Sequence, residues 1–119
     1  MMTRRLNIFL SFFIASTFSY SYSADYFWVN NSGDWNDAMH WSFASGGVGG
    51  AGIPSQGDNV FFDNNSFSSH AVVSLGASQS LHDFTFTNNQ HEVSFDGITG
   101  SEVLEIQGSF SSSNRINTF

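Results

Sequence analysis

Apolar and polar positions alternate in short runs along the second half of the chain. Val60-Phe61-Phe62 is a compact apolar run, and residues 71–75 carry Val72, Val73 and Leu75. Phe84 and Phe86 alternate with Thr85 and Thr87, Val93 and Phe95 with Ser94 and Asp96, and Leu104 and Ile106 with Glu105 and Gln107. The alternation continues more weakly at Phe110 and Ile116. A period of two puts one set of side chains on one face of an extended chain, so each run predicts a short, half-buried strand. Clusters of Asn, Asp, Gly, Ser and Gln at 63–66, 88–90, 97–101 and 111–114 supply the turns between them. Helical spacing is lacking apart from one short turn predicted over residues 34–41, with Asp34 as its cap.

The runs recur. Phe84-Thr85-Phe86 is echoed by Leu104-Glu105-Ile106 after about 20 residues, a spacing within the range of structural repeats. Val93-Ser94-Phe95 has a looser echo near Ile116, at a slightly longer interval. Two strands per unit of that length, joined by polar turns, predict coils of a β-solenoid. The alternative all-β arrangement is an antiparallel meander or sandwich. Asp96-Gly97 favours it as a hairpin turn between Val93-Ser94-Phe95 and Ile98.

The first half of the chain is different. All three tryptophans, Trp28, Trp35 and Trp41, fall close together among turn-forming Asn, Asp, Ser and Gly. Upstream of them, Arg4 and Arg5 precede an uncharged apolar stretch over residues 6–20, and Ser21-Tyr22-Ser23 offers small residues two apart before Ala24. This is the layout of a secretory signal peptide over residues 1–23, cleaved before Ala24 or, nearly as well, after it. The stretch is shorter than the roughly 20 apolar residues a membrane-spanning helix needs. The expectation is an exported protein, secreted or at the cell surface, with no membrane span once the signal is removed.

Removal of the signal changes the charge. Both Arg4 and Arg5 leave with it, so Arg115 alone opposes ten carboxylates and the formal charge becomes −9. Such a surface excludes nucleic acid, which is bound through clustered Lys and Arg. It attracts divalent cations and keeps the protein soluble. With no cysteine, the chain after Ala24 must be held by packing and hydrogen bonds.

Residues 28–67 carry a resemblance. Phe27-Trp28-Val29, Gly33-Asp34-Trp35, His40-Trp41-Ser42, the glycines of 46–52, Pro54, Asp58-Asn59-Val60-Phe61-Phe62-Asp63 and Asn65-Ser66-Phe67 follow one another in an order and spacing that resembles the opening segment of large secreted surface proteins of Bacteroidetes-type bacteria. More loosely, it is similar to the start of autotransporter-like passenger repeats. The resemblance covers about a third of the chain and implies a right-handed parallel β-helix of adhesin type, with no catalytic residues. It implies a division into a Trp/Gly-rich N-terminal cap segment at 24–58 and β-solenoid coils at 59–119, the latter expected to be the beginning of a longer product.

Candidate chemistry is sparse. Trp28, Trp35 and Trp41 could form a platform for extracellular glycans or, alternatively, a cap of three indoles over the open end of the first coil, each N–H reaching a turn carbonyl. The cap accounts better for the turn residues on both sides. The glycine run at 46–52 lacks the Lys-Ser/Thr of a phosphate loop and reads as a flexible surface loop. Asp58 and Asp63 are the best candidates for calcium, the one cofactor the residues could take, against the ordinary use of such side chains in Asx turns. His40, His70, His82 and His91 are not at zinc-binding spacing and read as solvated or turn-bonded. Glu102 and Glu105 have opposite parity on a strand, which makes them a poor acid/base pair. The expected function is therefore a non-enzymatic structural or adhesive module, with a carbohydrate-binding or carbohydrate-active β-helix fragment as the alternative.

Overall fold

The computed structural model describes residues 23–112. Residues 1–22 of the signal peptide expected over 1–23, and Arg115 and Ile116 near the other terminus, lie outside the described residues. Among the described residues ten strands form, in chain order β1 (Asp25–Trp28), β2 (Gly33–Asp34), β3 (Trp41–Ser42), β4 (Asn59–Phe62), β5 (Ala71–Leu75), β6 (Gln79–Leu81), β7 (Phe84–Phe86), β8 (Val93–Gly97), β9 (Leu104–Ile106) and β10 (Phe110–Ser112). A single 3-10 turn, Ala38–His40, precedes β3. The protein is all-β, and among the described residues no helix is long and apolar enough to cross a membrane.

The strands assemble into three sheets. The first has the order β10-β7-β4-β1-β3, the second β2-β5-β8, and the third β6-β9. Six of the seven pairings are parallel, and only β1 with β3 is antiparallel. The triplet β4-β5-β6 is thus repeated by β7-β8-β9, each strand pairing with its counterpart in the other triplet, and β10 returns to the first sheet. A meander would pair sequence neighbours antiparallel, and that alternative does not describe these sheets. Nor does Asp96-Gly97 form a hairpin: β8 runs through both residues, in register with Ser74 and Leu75 of β5.

The repeat is also longer than the sequence spacing suggests, and its length varies from strand to strand. Val60 pairs with Phe84, Ala71 with Val93, Gln79 with Leu104 and Phe84 with Phe110. Leu104-Glu105-Ile106 is stacked on Gln79-Ser80-Leu81, whereas Phe84-Thr85-Phe86 pairs with Phe110-Ser111-Ser112. The unit has three strands, and the third escapes notice in the sequence because β6 has one apolar residue, Leu81.

Alternation does set the buried face. Val60 and Phe62 of β4, Ala71, Val73 and Leu75 of β5, Phe84 and Phe86 of β7, and Val93 and Phe95 of β8 all point inward. Parallel register brings like beside like, with Phe62 stacked on Phe86 at 6.3 Å and Phe84 on Phe110 at 5.4 Å between ring centroids. On the outer face the same register stacks Phe27 on Phe61 at 4.7 Å. The turns are built from short polar side chains. Buried Asn88 donates to the His91 carbonyl at 2.7 Å and accepts from Gln90 N at 3.2 Å, while Asn64 Oδ1 accepts from Asn89 N at 2.9 Å.

The run 46–52 is not a free loop. Ala51 N donates to the Trp41 carbonyl at 3.0 Å, Gly50 N to Ala38 O at 2.9 Å and Gly47 N to Ala44 O at 3.0 Å. A Cβ on Gly49 would run into the Met39 carbonyl oxygen, and one on Gly47 would lie 2.6 Å from Ser42 Oγ. The glycines form a strap laid close over β3 and the 3-10 turn, and at Gly47 and Gly49 only a hydrogen in place of a side chain fits.

Candidate functional site: the tryptophan-rich end

Trp28 ends β1, Trp35 follows β2, and Trp41 opens β3 directly opposite Trp28. The chain turns from β1 in the first sheet to β2 in the second through Asn30 and Asn31, both in the left-handed region at φ 72° and 64°. Asparagine tolerates that region because its short side chain bonds locally. Asn31 Oδ1 accepts from Ser68 N at 2.6 Å, and Asn30 Nδ2 donates to the Met39 carbonyl at 2.8 Å. The turn before β3 is capped by Asp37, whose Oδ1 accepts from Met39 N at 3.0 Å. Asp34, the cap expected from sequence, lies in β2 and accepts from Asn36 N at 2.8 Å.

The three indoles meet in the core. Trp41 stands edge-on to Trp28 at 5.1 Å and to Trp35 at 4.9 Å, and Phe62 reaches all three rings between 5.6 and 5.9 Å. Trp28 and Trp41 are 0 % exposed and Trp35 is 1 % exposed. Sugar stacking needs an open ring face, and these rings present none. Trp28 Nε1 donates to Asn31 O at 2.7 Å and Trp41 Nε1 to Trp35 O at 2.8 Å. Trp35 Nε1 is buried without a hydrogen-bond partner, so two indoles of the three satisfy the expected pattern. An orphan of this kind costs about 1–3 kcal/mol, and the surrounding aromatic packing offsets it.

His40 completes the arrangement, a role its sequence context does not announce. Its ring lies flat on Trp28 at 4.6 Å and 8° between planes, and Nδ1 sits 2.8 Å from Val29 O. A carbonyl accepts only, so Nδ1 carries the proton. A Cβ on Gly33 would run into this imidazole, which explains the glycine there.

The acidic candidates are committed to the backbone. Asp58, 8 % exposed, accepts from Ser55 N at 2.9 Å and Ser55 Oγ at 3.1 Å through one oxygen, and from Ala24 N at 3.0 Å through the other. Asp63 accepts from Ser45 Oγ at 2.6 Å and Asn65 N at 2.9 Å. The two stand at opposite ends of β4, about 16 Å apart along an extended chain, so they do not share one cation. Among the described residues no group of three or more His, Asp or Glu side chains is placed to hold a metal ion. These carboxylates organise turns, the alternative use weighed for them. Burial first, and then the negative charge of Asp58, push the Tyr26 hydroxyl above its ordinary pKa.

The remaining ionisable groups are spread over the surface. His70 pairs with Glu92 and His82 with Asp83, each at 3.1 Å. Glu102 lies before β9 rather than on it, folded back to accept from Thr99 N, Thr99 Oγ1 and Gly100 N. Those bonds, led by the Thr99 side chain, pull its carboxyl down to about 2. Glu105 is on β9 and accepts from Ser80 Oγ at 2.9 Å. The two carboxylates are thus bonded in separate places.

The chain matches no family model, no curated protein and no solved structure. Its function is therefore argued from the arrangement just described.

Proposed function

We propose that this chain is a non-enzymatic structural module of an exported bacterial surface protein, built as the closed first part of a right-handed parallel β-helix of adhesin type. The observation that carries the reading is the parallel in-register stacking of β4-β5-β6 on β7-β8-β9, with β10 returning to the first sheet. Parallel crossovers are right-handed by strong preference. Strand triplets of this kind bury their faces against the next triplet and require a cap where stacking stops. The antiparallel strand β3, the glycine strap and the buried indoles suit that role. Export rests on the charge and apolar layout of residues 1–23, and the strongly acidic remainder suits a solvated exterior.

A fusion of the full chain to a reporter enzyme active only outside the cytoplasm tests export, and an active reporter is expected. Tryptophan emission of the exported product is expected to be blue-shifted and unchanged by a panel of glycans. An inactive reporter overturns export. Glycan-dependent emission would return the tryptophan end to the carbohydrate-binding alternative.

A further inference from the structure

Among the described residues, Ala24 is the first to bond to the rest of the fold. Its carbonyl accepts from Asn59 N at 2.8 Å, and its nitrogen donates to Asp58 Oδ1 at 3.0 Å. Asp25 then begins β1, which runs parallel to β4 from the Asp25–Asn59 pair onward. Ser23, on the other side, is exposed. The hydrogen bonds to Asp58 come from Ala24 N, Ser55 N and Ser55 Oγ, all neutral donors, although the carboxylate is 8 % exposed. A buried anion is held far better by a cation, and the described residues contain no lysine or arginine to supply one.

We infer that hydrolysis of the Ser23–Ala24 peptide bond converts the Ala24 nitrogen into an ammonium that ion-pairs with the buried Asp58 carboxylate, locking β1 onto β4 once the leader is gone. The inference rests on the export reading. In the cleavage, catalysed by an endopeptidase of the export machinery, one water is added across the amide. Ser23 departs with the new carboxylate, and Ala24 keeps the nitrogen and becomes protonated at neutral pH. The nitrogen already lies at hydrogen-bond distance from Oδ1, so the change adds charge without moving the chain. Ala24 is half-buried, which leaves the remaining N–H groups of the ammonium access to water. Cleavage one residue later would discard both bonds that Ala24 makes, so the pairing also selects between the two sites the sequence allows.

The absence of lysine makes the test direct, because an amine-directed acylating reagent has a single target, the α-amino group. The full chain is exported with its own leader, the product's N-terminus is read by intact mass, and acylation at pH 7 is timed in the folded and the denatured protein. The expected product begins at Ala24 and is acylated about tenfold more slowly when folded, the effect of a one-unit rise in the amine's pKa. Asp58→Asn is expected to remove most of that protection. If that variant does not fold, the folded-to-denatured ratio of the unsubstituted protein decides alone. A product that begins at Ala24 but is acylated equally fast in both states overturns the pairing and leaves export standing. An exported product with another N-terminus also overturns the pairing alone. A chain that is neither exported nor cleaved overturns both.

Discussion

The two halves of the described chain solve the same problem at different lengths. Between β4 and β10 each strand soon meets its counterpart, as Val60 meets Phe84, Ala71 meets Val93 and Phe84 meets Phe110. The way from β1 to β4 and from β2 to β5 is much longer: Asp25 waits for Asn59, and Gly33 for Val73. The added sequence contains the 3-10 turn, β3 and the glycine strap. In the later half, order comes from register, since each strand meets a similar strand and needs little else. In the earlier half the described residues offer no preceding strand to meet, and individual side chains take over: buried indoles, a stacked imidazole, Asp and Asn caps. Pairing β1 with β4 and β2 with β5 takes more sequence, and more particular sequence, than pairing the later strands.

The comparison predicts where substitutions hurt. Trp41→Ala should be the most damaging, at about 3–5 kcal/mol, as for other fully buried aromatic truncations. Chemical denaturation checks it, and a loss below about 1 kcal/mol would mean that the indoles are not the core of this end. Gly49→Ala should follow at about 1–3 kcal/mol, because its Cβ meets backbone that cannot move aside, whereas Gly52→Ala, with φ +107° and open space around it, should show only the smaller penalty of backbone strain. Equal melting temperatures for the two would remove the close-fitting strap.

The indoles should also differ from one another. Trp41→Phe deletes a bonded N–H and orphans the Trp35 carbonyl, while Trp35→Phe deletes an N–H that has no partner. The first should be worse by about 1–2 kcal/mol, and a reversed order would sink the assignment of these two bonds. In the later half, Ser80→Ala, which removes one exposed bond to Glu105, should change stability by less than about 0.5 kcal/mol.

Acid separates the halves most gently. The Glu102 carboxyl is held at about 2 against an ordinary 4.5 by its bonds to the 99–102 turn. A lowered folded pKa contributes stability above the unfolded value, lost as pH falls through the folded one. The Thr99 and Gly100 amide resonances should therefore shift with a midpoint near that low value and stay steady above it. Glu102→Gln should abolish the titration. A midpoint at the ordinary carboxylate value would mean that the turn is not held by this side chain.

Much of the later half was legible in the sequence, because period-two alternation at Val60-Phe62, 71–75, Phe84-Phe86, Val93-Phe95 and Leu104-Ile106 is the direct imprint of one buried face. The pairing was less legible. Gln79-Ser80-Leu81 carries too little apolar signal to be seen as a strand, and its loss shifted the apparent repeat. In the earlier half, the clustering of Trp28, Trp35 and Trp41 marked side chains that are buried together in the core. Strands of two residues leave no periodicity, however, so β2 and β3 stayed hidden. The stacking of His40 on Trp28 depends on a turn that no local pattern encodes. Asp58 and Asp63 stood out as oxygen ligands, but their composition is the same whether they bind a cation or a backbone amide.

The direction of β3 has a further consequence for anyone wishing to build with this chain. A two-residue strand running against its neighbour, with its Trp41 carbonyl already taken by Ala51 N, gives an incoming parallel segment nothing to align on. Repeats fused beyond β8, β9 and β10 would meet matched strand directions instead. On the β-helix reading proposed above, fibres grown from this piece would therefore extend from the β10 edge of the first sheet and not from its β3 edge.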